Sequence, residues 1–588
     1  MRYPVQRTLI RRRHNGWLAR LLAGLLVLLA GPVLAQAPEI RLPGLGDELA
    51  DNIRSHLSIG REACDLATWR ERALLRRADD EARKALRALG YYSPDLEFVL
   101  HREGECWRLD IAVDPGERIR VRHVDVTIEG EAADDPAFDA LLADAPLKPG
   151  DPLRHDRYED LRKALTRLAA DRGYFDHQVL VRELRVNVGE GHADAVIHMD
   201  SGARYAFGTV SVEQDILRPE LVAKFLPVHE GDPYEARKLI DLQQRLADSD
   251  YYSEVRVRTE TDARADGRVP IQVQLTPRKR HAYLVGIGAS TDIGPRLRLG
   301  FENRYANRLG HRYQFDMELS PVRSGTGFNY EIPLDDPSRE RVNLLARYQT
   351  EETDTAESDI YGLGVSHTIQ HNSGWVETRS LSFEREDYTV ADVTDRSDLL
   401  MPGLALTRVR SDHPINPRRG WRLYGSTRGA LEQAGSTVSF AQFHGRAKLI
   451  LPLGSGRLIG RTEGGATLAD ELVELPSSVR FFAGGDDSVR GYGYQSLGPE
   501  NADGEVVGGR HTLTGSLEYE HPLAGRWSMA AFVDAGNAYD RYDEYEPVVG
   551  VGLGVRWRSP IGPIRVDVAH PLDHEDSFRL HLTMGPDL

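Results

Sequence analysis

The chain has 588 residues and a formal net charge of -16. That is too long for one domain and enough for about four at ~150 residues each. The acidic balance argues against nucleic-acid binding driven by overall charge, which requires a basic face.

The N-terminus opens with Arg2, Arg7, Arg11, Arg12, Arg13 and Arg20 and no acid. The apolar run Leu21 to Leu34 follows, and Val33-Leu34-Ala35 offers a small-residue cleavage site. This predicts a secretory signal peptide over 1–35, cut before Gln36. The alternative is a membrane anchor, but the run is short of the ~20 residues a spanning helix needs. No later stretch is long and apolar enough to span as a helix. Membrane residence would therefore require a closed barrel.

Residues 36–277 repeat. Three helices end on aromatic pairs that lead into strands: Gly90-Tyr91-Tyr92-Ser93, Gly173-Tyr174-Phe175-Asp176 and Asp250-Tyr251-Tyr252-Ser253. The pairs lie 83 and 77 residues apart, so each unit is a small domain and not a solenoid repeat. The helices before them are amphipathic, with Ala78, Ala82, Ala85, Leu86 and Leu89 on one stripe, Leu161, Ala164, Leu165 and Leu168 on the second, and Leu239, Leu242 and Leu246 on the third. Alternating strands follow, such as Trp107, Leu109, Ile111, Val113 and Val269, Ile271, Val273, Leu275. The layout per unit is strand, two helices, two strands. The aromatic pairs recur at one structural place, which favours a core anchor over a base- or sugar-stacking role. Cys64 and Cys106 both fall in the first unit. Export permits a disulfide between them, against the alternative of two buried thiols.

From His281 onward glycine becomes frequent and two-residue alternation dominates. Val342, Leu344, Ala346 and Tyr348 alternate with Asn343, Leu345, Arg347 and Gln349, and Phe578, Leu580, Leu582 and Met584 alternate with Arg579, His581 and Thr583. Transmembrane strands of ~9–11 residues alternate in this way. Residues 278–588 provide sixteen strands at about 19 residues each, connections included.

Within that region Phe482-Ala483-Gly484-Gly485-Asp486-Asp487-Ser488-Val489-Arg490-Gly491-Tyr492 is a glycine-rich loop. Glu518 lies between Leu517 and Tyr519, and Asp534 between Val533 and Ala535. If the flanking residues face lipid, both carboxylates face the lumen. An arginine has the planar fork to meet them and stays charged. Enzyme motifs are unconvincing. His367 and His371 lack the glutamate of a zincin and sit in strand-like sequence, where they would be ~13 Å apart. Gly454-Ser455-Gly456 precedes no nucleotide-binding helix. No catalytic residue, metal ligand or cofactor is expected.

The repeats resemble POTRA domains. The loop, with Val489-Arg490-Gly491-Tyr492 at its heart, resembles the sixth extracellular loop of the BamA/TamA superfamily. Leu517 to Pro522, Phe532 to Gly536, Gly552 to Arg556, Ser559 to Asp567 and Ala569-His570-Pro571 resemble its last strands. Three repeats, the length, and the ending Gly585-Pro586-Asp587-Leu588 are most similar to the TamA type, although the final residue is not aromatic. The fold implied is three α+β POTRA repeats followed by a 16-stranded antiparallel transmembrane β-barrel. Its expected bounds are 36–115, 116–200, 201–277 and 278–588.

The resemblance implies a loop lock of Arg490, Gly491, Tyr492, Gly484 and Gly485 against Glu518 and Asp534. It implies a lateral gate between a first strand carrying Gly286 and Gly288 and a last strand carrying Phe578, Leu580, Leu582 and Met584. Glycines weaken a strand interior, which suits a seam. The function implied is assembly of β-barrel clients such as autotransporters in the outer membrane, with POTRA domains in the periplasm. Implied partners are a TamB-like inner-membrane-anchored protein, unfolded outer-membrane clients and outer-membrane lipid. The alternative is a polypeptide export channel of the two-partner-secretion type, for which two POTRAs and a plug helix are expected. A passive porin would need neither repeats nor loop lock.

Overall fold

A computed structural model describes residues 38–64, 67–103, 106–559, 562–573 and 577–585. The expected signal peptide, 1–35, lies outside the described residues, as do Pro586, Asp587 and Leu588.

Three repeats share one plan. The first runs β1 (Glu39–Arg41), α1 (Asp47–His56), α2 (Thr68–Ala88), β2 (Asp95–Glu103) and β3 (Cys106–Asp114). The second runs β4 (Arg120–Glu129), α3 (Pro136–Ala143), α4 (His155–Asp171), β5 (Gln178–Asn187) and β6 (His192–Asp200). The third runs β7 (Ala206–Glu213), α5 (Pro219–Ala223), α6 (Ala236–Asp248), β8 (Tyr252–Thr259) and β9 (Arg268–Pro277). In each, the opening strand pairs parallel with the closing strand, which pairs antiparallel with the middle one. The closing strand is thus central and its residues alternate toward the helices. Ala78, Ala82, Ala85 and Leu86 of α2 bury over Trp107, Leu109 and Ile111. Leu161, Leu165 and Ala169 of α4 do the same over Ala193, Ala195, Ile197 and Met199. Alanine at three- and four-residue spacing lets the long helix lie close on the sheet.

The helix-to-strand corner has one cause in all repeats. The residue before the aromatic pair is left-handed: Gly90 at φ +94°, Gly173 at +90° and Asp250 at +61°. This reversal caps the helix, with Tyr91 N donating to Leu86 O at 3.0 Å and Tyr174 N to Ala169 O at 2.9 Å. Tyr174, Tyr251 and Tyr252 are buried, while Tyr91 and Tyr92 are half-buried. Cys64 and Cys106 are joined, with Cα atoms 4.4 Å apart. The bond ties the connection after α1 to the start of β3.

In the second repeat Asp135 caps α3. It accepts from Ala137 N at 3.1 Å, Arg172 Nε at 2.6 Å and Tyr174 Oη at 3.1 Å. Burial alone would push this carboxyl up, but the Ala137 amide and Arg172 guanidinium outweigh it and hold the carboxyl below its ordinary range.

The chain divides into two compact units, and the third repeat belongs with the barrel. This repeat, expected over 201–277, meets the barrel through polar contacts. Arg218 N donates to Arg308 O at 2.8 Å and Arg312 donates to Ser249 O at 3.0 Å. The Arg312 guanidinium lies 4.9 Å from the Tyr251 ring centre, and Tyr251 Oη donates to Gly310 O.

Sixteen strands follow, from β10 (His281–Ser290) to β25 (Arg579–Met584), each antiparallel to the next in chain order. Along β22 (Trp527–Tyr539), Met529 and Val533 are exposed while Ala530, Phe532, Asp534 and Ala538 are buried. This is the apolar-out alternation of a strand facing lipid on one side. Among the described residues no helix is long and apolar enough to cross a membrane.

Two outcomes follow from the repeats. Asp135→Asn keeps the cap acceptor but loses the charge, so it lowers the thermal midpoint of the periplasmic repeats at pH 7. A depressed carboxyl contributes stability above its unfolded pKa that is lost as pH falls through the folded one, so the gap from wild type narrows as pH falls below the ordinary carboxylate range. Cys64→Ser costs the first repeat about 2–4 kcal/mol in chemical unfolding, while untreated wild type shows no alkylatable thiol.

Candidate functional site

The long connection between β20 (Gly456–Leu468) and β21 (His511–Pro522) folds back against the inner wall and carries Arg490, 4% exposed. Burying a guanidinium this deeply requires acceptors for every donor. Arg490 Nε and Nη2 fork onto Asp534 at 2.7 and 3.0 Å. Nη1 donates to Glu518 at 2.8 Å and to Asp567 at 3.0 Å, and Nη2 also reaches Ser516 at 3.4 Å. The Arg490 amide adds a bond to Asp534 at 3.1 Å. The guanidinium lies 3.4 Å from the centre of the Phe532 ring, which closes its remaining face.

The wall itself is balanced. β23 (Val548–Ser559) supplies Arg556, fully buried, which donates to Glu518 at 2.9 Å and to Asp567 of β24 (Gly562–Pro571). β20 supplies Arg461, which donates to Asp534 at 3.4 Å and to the loop carbonyls of Asp486 and Ser488 at 3.2 and 3.1 Å. Three arginines, 461, 490 and 556, therefore meet three carboxylates, 518, 534 and 567, on five consecutive strands and one loop. Two glycines make room. A Cβ at Gly550 would collide with the Arg490 carbonyl oxygen, and one at Gly554 with the Asp567 carboxylate.

The structure brings Arg490, Glu518 and Asp534 into contact. Gly484, Gly485 and Gly491 are left-handed at φ +95°, +103° and +105°. Tyr492 is buried and its hydroxyl donates to Asp573. In the sequence Arg556 and Asp567 stand out only through the resemblance, and Arg461 does not stand out at all. The signal was available: Arg556 lies between Val555 and Trp557, and Asp567 between Val566 and Val568.

Gly286 and Gly288 lie within β10, and Leu580, Leu582 and Met584 within β25. Phe578 lies one residue before β25 and packs against His570, ring centres 4.9 Å apart. Among the described residues no strand ladder pairs β10 with β25. Tyr283, Val285 and Ile287 are 76%, 70% and 81% exposed, more than the apolar residues of strands flanked on both sides. His367 and His371 bond Glu340 and Glu377 respectively and do not converge on one site.

Removing one member of the arginine–carboxylate network leaves a buried charge. Arg490→Ala should cost about 3–5 kcal/mol in denaturant unfolding of the barrel. Arg490→Lys recovers little of it, because an ammonium cannot fork onto Asp534 while reaching Glu518 and Asp567. A cycle of Arg490→Ala with Asp534→Ala gives a coupling of about 0.5–3 kcal/mol, and strict additivity would refute the direct contact.

The sequence matches the Omp85 superfamily domain over residues 285–586 and the first POTRA domain of TamA over 39–115. It matches the POTRA model described as a surface antigen variable number repeat over 121–199 and 205–278. It is 24% identical over 402 residues to the outer membrane protein assembly factor BamA of Nitratidesulfovibrio vulgaris, covering 63% of this chain and 49% of that protein. Against BamA of Neisseria meningitidis serogroup B it is 23% identical over 554 residues, covering 81% and 68%. The chain thus spans about half to two thirds of the length of these curated relatives. The structure of BamA from Haemophilus ducreyi lacking POTRA domains 1–3 shares the fold, with a TM-score of 0.67 at 16% identity over 79% of this chain and 99% of that one. With the Omp85 domain matched over more than half of its length and POTRA repeats ahead of it, this chain belongs to the Omp85 superfamily, its barrel in the outer membrane and its POTRA domains in the periplasm.

Proposed function

We propose that this protein is an outer-membrane assembly factor that folds and inserts β-barrel clients, autotransporters among them, through a gate between β10 and β25. The observation that carries the reading is the missing ladder between those strands in a sheet whose other neighbours are all paired. In lipid an unpaired strand edge is costly because nothing else satisfies its amides and carbonyls. A client strand supplies what the edge lacks, and its main chain pairs without regard to sequence. The exposed Tyr283, Val285 and Ile287 give the edge an apolar face that a client's lipid-facing residues can continue.

The periplasmic repeats suit delivery of an extended segment. Each sheet has its middle strand, β2, β5 or β8, at an outer edge. The balanced charge network keeps the loop inside the wall near the seam, which disfavours free passage of a chain through the lumen. A TamB-like periplasmic protein is the proposed partner, on the strength of the TamA match to the first repeat.

The test is insertion of an unfolded autotransporter barrel into liposomes with and without this protein. Wild type should accelerate insertion and Arg490→Ala should lose the acceleration. A disulfide engineered between residues 291 and 582, whose main chains already bond at 3.2 Å, should abolish activity until reduced. Full activity in the locked protein would refute the gate. Large single-channel conductance without acceleration would favour an export channel.

A further inference from the structure

The seam lacks a ladder, yet its two edges are joined. All of the joining hydrogen bonds among the described residues converge on two residues. Thr291, in the turn after β10, donates its amide to Leu582 O at 3.2 Å and accepts the Leu582 amide on Oγ1 at 3.0 Å. The Thr291 hydroxyl then donates to Asp486 Oδ1 at 2.7 Å. The same oxygen meets His581 Nδ1 of β25 at 2.6 Å. The neighbouring Asp292 carboxylate accepts the Asp486 amide at 2.8 Å. One buried loop carboxylate therefore holds a residue from each side of the seam.

The histidine fixes the direction of this chain of bonds. Gly491 N lies 2.9 Å from His581 Nε2, and an amide can only donate. Nε2 is therefore the acceptor, and the ring proton sits on Nδ1, aimed at Asp486. The imidazole is gripped at both nitrogens by the loop that carries Arg490. His581 is 1% exposed and Asp486 5%. The second oxygen of Asp486, Oδ2, is buried and has no hydrogen-bond partner among the described residues. Around this cluster stand Asp292 and Asp487, Arg461 on the Asp486 carbonyl, and the Asp567–Arg490–Arg556 group on the adjoining strand pair.

We propose that Asp486 is the latch of the seam: it ties Thr291 on the first edge to His581 on the last, so that the edges part when the loop releases them. The inference rests on the gate reading above and names the residues that would hold the gate shut. Its physical basis is the contrast between the two loop contacts. Arg490 meets three carboxylates, with every donor used, on strands that are laddered to each other. Asp486 uses one oxygen on two neutral donors, across strands that are not laddered. The loop is thus anchored strongly to one wall and lightly across the opening. A clasp of this kind lets the seam open without extracting the arginine.

The experiment is hydrogen–deuterium exchange of the full chain in nanodiscs, read on peptides covering 281–293, 578–585 and, as reference, 511–539. Asp486→Ala and Thr291→Val should each raise exchange in both seam peptides by about tenfold and leave the reference unchanged. The double variant should add little, since both break one chain of bonds. Heat-modifiable gel mobility checks that each variant folds. Unchanged seam exchange, or an equal rise in the reference peptide, would overturn the latch. So would a rise in wild-type exchange on adding EDTA, which would mean that Asp292, Asp486 and His581, whose donor atoms lie within 4.8 Å of one another, hold a cation instead of each other. The two readings separate cleanly. Loosened seams in the latch variants, with full client insertion by the protein locked between 291 and 582, would keep the latch and refute the gate. Normal insertion by wild type with no change in seam exchange would do the reverse.

Discussion

A guanidinium buried at 4% exposure inside a barrel is the constraint on which the rest of the C-terminal half depends. Its charge cannot be left there alone, so the wall must supply carboxylates. Three carboxylates in a small volume would repel one another, so the wall must supply cations as well. Arg461 and Arg556 meet that need, and the group comes to three positive and three negative charges. The alternation of β20 through β24 then follows. Each strand must turn one charged residue inward at the depth the loop reaches, and β23 must carry glycine where the loop backbone passes.

That arrangement makes one arc of the barrel stiff and leaves the opposite property to the seam. β20 to β24 are laddered and cross-braced by ion pairs. β10 and β25 are unpaired with each other and meet through a turn residue and a loop carboxylate. A barrel normally removes its strand edges by closure, because lipid cannot satisfy them. Here the edges persist, and the loop covers the region where they meet. A single loop is thereby attached both to the strands braced by ion pairs and to the seam that lacks a ladder.

Much of this was legible in the sequence, and the reason differs by region. The repeats were legible because their signal is redundant: helical stripes, alternating strands and a corner of aromatic residues, each seen three times. The sixteen strands were legible as a total because period-two alternation survives wherever one face meets lipid. Arg490, Glu518 and Asp534 were legible because each sits in a short motif or between apolar neighbours. Arg461, Arg556 and Asp567 follow the same alternation, but nothing in one strand reveals that its inward charge meets a charge on the next. That pairing depends on register, which is set by the ladder and not by local residues. Thr291, Asp486 and His581 lie about 195 and 95 positions apart along the chain, and no local pattern joins them. The docking of the third repeat was hidden for a similar reason, since Tyr251 reads as a core anchor of its own repeat and nothing local marks Gly310 as its partner.

The third repeat is tied to the barrel on the side of the first edge. Its polar contacts fall on residues 308–312, between β11 (Gly294–Asn303) and β12 (Arg312–Leu319), and on residues 334–336, between β13 (Arg323–Pro333) and β14 (Glu340–Glu352), where Lys224 pairs with Asp335 at 2.9 Å. The first of these connections is one strand removed from β10. The repeat also runs directly into the first edge along the chain, β9 ending at Pro277 and β10 beginning at His281, whereas the arginine network stands behind the last edge, on β20 to β24. Within one compact unit, the first edge thus adjoins the third repeat and the last edge adjoins the charged wall. Between those edges the hydrogen bonds among the described residues are the contacts of Thr291 with Asp486 and Leu582. Under the proposed latch, parting of the edges breaks these contacts and leaves the arginine network on β20 to β24 in place.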